Sequence, residues 1–322
     1  CGMPRAEVLR RTSAALVSAN RNDRALAFAQ EAVALWPEDD VVGRAEMLGD
    51  LATIEFQAGV SDGIDSIEQA LGILGDDPRH GVQRAGLLLS SARVHMLNGR
   101  QKLGDEVAAQ ARATAQVAES AGDPAAAEIV AQALLISATC RASVGDVHGV
   151  ALFEEARGYS TGFVRAMMRY YINFSNTLMQ IGRYDDAVAV AKEGLDYGRS
   201  HVADLGPLVM IEANVIEAHI YAGRLREAEE LGGLLPLVEP GLYSAFLRER
   251  LVCLAIWRGR IDGAEAALEA ARLELDRFGA YEYQTRFGMA YDLGELALAR
   301  GDAHGALSHA RLAWETPAGG VL

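Results

Sequence analysis

The chain has 322 residues, half of them apolar, and 44 acidic against 30 basic residues give a net charge of −14. No basic run stands out, so direct contact with nucleic acid through phosphate neutralisation is not expected. Three dispersed cysteines, Cys1, Cys140 and Cys253, form no disulfide framework and fit a reducing, cytoplasmic setting. No uninterrupted apolar stretch reaches the roughly 18 residues that cross a bilayer, so no membrane role is expected.

A mature bacterial lipoprotein would begin with Cys1, but helical periodicity starts almost at once, without a flexible tether. The opening residues, like the tail Pro317–Leu322, are instead expected of a segment cut from a longer protein. From there, pairs of helices are predicted over residues 4–36, 40–75, 79–121, 124–159, 161–201, 204–236, 240–277 and 279–315. Asp77-Pro78 and Asp123-Pro124 each place a capping carboxylate before a proline suited to a first turn. Pro37, Pro207 and Pro240 are expected between helices, where a missing N–H has no consequence. Alternating runs of strand type are absent.

Within these pairs a six-residue signature recurs: a glycine, a hydrophobic residue two places on, and a small residue three beyond. Gly182-Arg-Tyr184-Asp-Asp-Ala187 is the sharpest copy. Others start at Gly145 (with Val147 and Val150), Gly223 (Leu225, Ala228), Gly259 (Ile261, Ala264) and Gly301 (Ala303, Ala306). These five glycines are 37, 41, 36 and 42 residues apart. In the third pair, Gly99 and Gly104 compete for the turn. The glycine is expected to end the first helix, the hydrophobic residue to plug the hairpin's base, and the small residue to let the helices cross closely. A period of this size predicts a single all-α domain over residues 1–322, a right-handed α–α superhelix of about eight helical hairpins.

Three sets of positions carry a family likeness. Leu293-Gly294, Ala297, Gly301, Ala306 and Ala313 form one; Tyr171, Phe174, Gly182, Tyr184, Ala187 and Ala191 another; Ala25, Ala32 and Pro37 a third. Their order resembles the tetratricopeptide repeat (TPR), although the spacing exceeds that family's usual period of about 34 residues. A lengthened array rich in alanine and arginine, with only Lys102 and Lys192 as lysines, is similar to the sensor region of large bacterial LuxR-type (MalT-like) transcription regulators. The resemblance implies a non-enzymatic segment that recognises a small inducer, or a protein or peptide partner, on its concave face. A constitutive protein–protein scaffold is the alternative.

The chemistry-bearing residues agree. No Gly-x-x-x-x-Gly-Lys-Ser/Thr loop or Gly-x-Ser-x-Gly elbow occurs, and His304 and His309 are wrongly spaced to share a metal, so no cofactor, metal or catalytic residue is expected. Met167-Met168 and Tyr170-Tyr171 are expected to pack between helices. The candidate ligand surface lies on the first helices of hairpins five to seven: Arg169, Asn173, Asn176 and Gln180; Asn214, Glu217 and Tyr221; Glu249, Arg250 and Trp257. The first four step by four, three and four residues and so share a helix face. By resemblance, Asn176 matches a carboxylate-contacting asparagine of peptide-binding relatives, whose partnering lysines are missing here. An exposed apolar face at an array end is expected to allow homodimerisation.

Overall fold

The computed structural model describes residues 2–18, 21–120, 122–201, 205–238, 240–278 and 283–315. Cys1, Asn20 in the first turn, and the tail 317–322 lie outside the described residues. Sixteen α-helices and no strand are found among them, and they fall into the eight predicted pairs. The pairs are α1 (Arg5–Ser18) with α2 (Asn22–Leu35), α3 (Val41–Gln57) with α4 (Ile64–Leu74), and α5 (Gly81–Leu97) with α6 (Gln101–Ser120). Next come α7 (Ala126–Ser143) with α8 (His148–Ser160), α9 (Val164–Gln180) with α10 (Tyr184–His201), and α11 (Gly206–Tyr221) with α12 (Leu225–Glu229). The array ends with α13 (Leu242–Trp257) beside α14 (Ile261–Phe278) and α15 (Tyr283–Ala299) beside α16 (Ala303–Glu315).

Local chemistry sets these boundaries. Asp40 caps α3, its carboxylate accepting from the Gly43 amide at 2.9 Å. Asp77 accepts from the Arg79 amide at 2.9 Å and starts a short 3-10 turn, Pro78–His80, ahead of α5. Asp123 accepts from the Ala125 amide at 2.9 Å before α7. Pro207 is not between helices as expected. It occupies the first turn of α11, where its N–H would have had no intrahelical partner. Gly182 ends its hairpin's first helix at φ 77°, the left-handed region closed to most residues, and Gly99, not Gly104, makes the third turn at φ 76°.

The small position of the signature is where each pair of helices crosses. Ala187, Ala228, Ala264 and Ala306 are all buried. Gly104 holds this place in the third hairpin: a Cβ there would sit 3.0 Å from the Cys140 sulfur and 3.2 Å from the Met96 nitrogen. In the fourth hairpin the place is taken by Gly149 rather than Val150, because a Cβ on Gly149 would lie 2.4 Å from the Ala142 nitrogen. The hydrophobic position is less faithful. Val147 is 78% exposed, since α8 begins one residue later and turns it outward.

Packing sorts the helices into two rows. From α3 onward each first helix packs on the first helix of the next hairpin, while each second helix packs between its own first helix and the one that follows. The first helices thus crowd along the inside of an arc and the second helices ride outside it. Exposed arginines stitch neighbouring hairpins, with Arg100 to Asp62 at 3.0 Å, Arg141 to Asp105 at 2.9 Å and Arg300 to Glu265 at 2.6 Å. Each such bridge contributes at most about 1 kcal/mol.

Two features depart from expectation. The sixth hairpin has a second helix of five residues, because Gly232, Gly233 and Pro236 follow it. Leu231, Leu234, Leu235 and Val238 fill the vacated berth on irregular backbone, packing on the apolar cluster of α11 and α13, and Glu212 anchors them by accepting from the Leu234 amide at 3.2 Å. The second concerns bilayer-length segments. Pro124–Ser143, with mean hydropathy 1.3, is long and apolar enough to cross a membrane, but 72% of that window is buried inside the protein because α7 has neighbours on several sides.

The crossing account predicts opposite outcomes at two helical glycines. Gly149→Ala should lose about 1–3 kcal/mol or more in urea unfolding, because its methyl meets backbone. Gly86→Ala, with nothing within 4 Å of the new methyl, should gain about 0.5–1 kcal/mol from helix propensity. Equal effects at the two sites would show that close approach is not what the glycine at 149 provides.

Candidate functional site

Helix α9 has two unlike faces. Met167, Met168, Tyr170, Tyr171 and Phe174 are buried in the core, as expected. Their rings interlock: Phe153 stacks on Phe174 with centroids 4.8 Å apart, and Tyr170 lies 5.3 Å from Tyr171 and 5.4 Å from Phe174. This anchoring fixes the rotation of α9 and directs the opposite stripe, Arg169, Asn173, Asn176 and Gln180, away from the core. Arg169, Asn173 and Asn176 are half-buried and Gln180 is exposed. Neither asparagine side chain makes a hydrogen bond among the described residues, and the Arg169 Nε is enclosed without a partner.

The stripe lies along the inner row of first helices, the side on which the sequence places a concave groove. Arg169 is influenced electrostatically by Arg93 on α5, Tyr243 on α13, Arg165 one turn back and Glu128 on α7. Tyr243 also acts on Arg93, although seven α-helices separate them in sequence. First helices of hairpins three, four, five and seven therefore bring these side chains within electrostatic reach of one another. Burial, then the adjacent Arg93 guanidinium, push Arg169 down to about 9, so it stays charged at neutral pH.

Four of the expected ligand contacts also have partners within the protein. Asn214 is buried and donates to the Ile172 carbonyl and the Ser175 hydroxyl, both at 2.9 Å, which ties α11 to α9. Arg250 pairs with Glu217 at 2.7 Å and with Glu249 at 2.8 Å, bridging α11 and α13. Against the penalty of burial, those two carboxylates hold Arg250 well above its ordinary value. Polar groups on a packed inner face must find partners, and here they find one another. Asp292 on α15 is buried beside this cluster, with burial and then Glu249 raising its carboxyl well above the usual range. Tyr221 and Trp257 end α11 and α13 at 41% and 43% exposure, the Tyr221 ring 6.1 Å from Tyr184.

The structure brings in residues that the sequence reading did not single out, chiefly Arg93, Arg165 and Tyr243. Arg165 could have been found, since it precedes Arg169 by four residues on the same stripe. Arg93 and Tyr243 carried no local signal, because curvature of the array is what brings them near. A cleft of about 270 Å³ between α14, α15 and α16 offers less: Arg272 in its wall pairs with Glu269 at 2.7 Å and Arg300 with Glu265 at 2.6 Å. No group of three or more metal-binding side chains occurs among the described residues.

No family model matches the sequence, and no curated protein matches it. Solved structures do. A Rap protein complexed with competence and sporulation factor is similar over 97% of this chain and 87% of that one, at TM-score 0.63 and 14% identity. A monomeric mutant of IFIT1 with Gppp-AAAA is similar over 97% of this chain and 71% of that one, at TM-score 0.51 and 14% identity. These likenesses establish the fold, an all-α helical repeat of TPR type.

The acid cluster predicts a pH dependence of stability. Folded Asp292 retains a proton that the unfolded chain releases, so its contribution is complete below the ordinary carboxylate value of 3.8 and is lost as pH rises through the higher folded value. Asp292→Asn keeps the shape and removes the titration. Urea unfolding at about pH 5 and about pH 8 should show stability falling with pH in the parent protein and falling less in the variant. An unaltered slope would mean that Asp292 is not held protonated.

Proposed function

We propose that the chain is a non-enzymatic binding array whose groove receives a protein segment or peptide. The observation that carries this reading is the α9 stripe, where Asn173 and Asn176 are half-buried beside the groove and have no side-chain hydrogen bond of their own. Primary amides present both donors and acceptors, which suits them to a peptide backbone. Exposed Tyr221 and Trp257 add aromatic surface farther along. The similar Rap and IFIT1 structures were each solved with another molecule, which accords with a binding role for this fold.

In the same proposal the array is the cytoplasmic sensor segment of a bacterial LuxR-type regulator, a placement supported by its long repeats rich in alanine and arginine. An ATPase module and a helix-turn-helix encoded in the same gene would support it; their absence would remove it. A ligand touching α5, α9 and α13 would favour one curvature of the array, because neighbouring hairpins share their interfaces. Homodimerisation through exposed Leu307, Leu312 and Trp314 of α16 belongs to this reading, and sedimentation at rising concentration tests it.

The groove is tested by panning a phage-displayed random peptide library and measuring the selected peptides by fluorescence anisotropy. Replacing Asn173 and Asn176 together by alanine should weaken binding by about tenfold or more while leaving the circular dichroism spectrum unchanged. Undiminished affinity would discard this face.

A further inference from the structure

Arginines in this protein habitually find carboxylates. Arg141 pairs with Asp105, Arg157 with Glu193, Arg248 with Glu274 and Arg300 with Glu265. Some arginines do not, and three of these, Arg93, Arg165 and Arg169, make no ion pair or side-chain hydrogen bond among the described residues. They are also close together. Arg165 and Arg169 are one turn apart on α9, Arg93 on α5 acts on Arg169, and Arg165 acts on both. Glu128 on α7 attracts Arg169 without reaching ion-pair distance, and its Oε1 accepts from the Gln132 amide at 3.0 Å. Tyr243 on α13 completes the surroundings.

Three guanidiniums against one carboxylate, with Arg93 and Arg169 half-buried and Arg165 exposed beside them, is an unfavourable arrangement for the empty protein. Burial opposes the charges of Arg93 and Arg169, neighbouring guanidiniums add to the cost, and the enclosed Arg169 Nε has no acceptor. Strain of this kind at a concave surface is relieved by a ligand that brings the missing acceptor oxygens. Guanidinium suits the task, because its planar fork meets carboxylate or phosphate through two parallel N–H donors. A long polyanion such as nucleic acid is disfavoured by the net charge of −14.

We propose that Arg93, Arg165 and Arg169 form an oxyanion site in the groove, receiving a carboxylate or phosphate group of the ligand. The inference rests on the groove being the ligand surface, as proposed above, and adds what kind of group that ligand must carry. Its test uses simple anions, independently of any peptide. Melting of the full chain is followed with inorganic phosphate and, separately, succinate, at constant ionic strength set by sodium chloride. One or both should raise the melting temperature saturably; a larger effect of phosphate assigns a phosphoryl source, and a larger effect of succinate a carboxylate.

Arg169→Gln and Arg93→Gln should each weaken that anion's affinity by about tenfold or more. They should also raise the melting temperature of the anion-free protein, since each removes an uncompensated cation, which a purely structural arginine would not do. Arg199→Gln, on α10 and paired with Asp196 at 3.0 Å, should leave anion affinity unchanged. Melting that ignores both anions, or an Arg169→Gln protein less stable than its parent without them, overturns the site. Either result does so even where the asparagine variant has lost peptide binding, so the two failures are distinguishable.

Discussion

Everything in this molecule follows from how closely the two helices of a hairpin approach at one point. Gly104 and Gly149 admit backbone and side-chain atoms where a Cβ would stand, and Ala187, Ala228, Ala264 and Ala306 are buried at the same place in other hairpins. Helices that touch at one point must diverge away from it, so each pair is a wedge. Wedges stacked in one direction form an arc, with first helices packed on first helices along its inside and second helices spaced along its outside. The groove is thus a geometric result of small residues placed once per repeat, not of any residue that lines it.

The inner row divides into two kinds of polar surface. Along α11 and α13, Asn214, Glu217, Glu249 and Arg250 are sealed between helices and engaged with neighbours, with Asp292 of α15 buried beside them. Such a network fixes the register of adjacent hairpins, since a buried charge tolerates few alternative positions. Along α9, by contrast, aromatic packing on one face leaves the opposite face polar and unengaged. The first kind holds hairpins six to eight together, and the second leaves hairpin five with donors to spare.

Much of the architecture was legible because it is local. Helix pairing, the glycine turns and the capping aspartates depend on residues a few positions apart, and all eight pairs lie where the apolar spacing puts them. Less was legible where a residue's surroundings depend on a distant neighbour. Glu217 and Arg250 look alike as groove residues and as partners in an ion pair, and nothing within α11 or α13 alone distinguishes the two. Val150 fits the signature, but the crossing is set by Gly149, one residue earlier, because α8 starts at His148. Arg93 and Tyr243 come together through the cumulative bend of several hairpins, a quantity that no short window contains.

The groove arginines sit inside a molecule whose total charge has the opposite sign. At physiological ionic strength fields fade over about 8 Å, so an approaching solute first meets the acidic exterior and senses the cations only at contact. Long-range attraction therefore gives this interior no help in gathering anions. At the proposed site an anion would thus be held by direct contact with the guanidinium groups and not by attraction from afar.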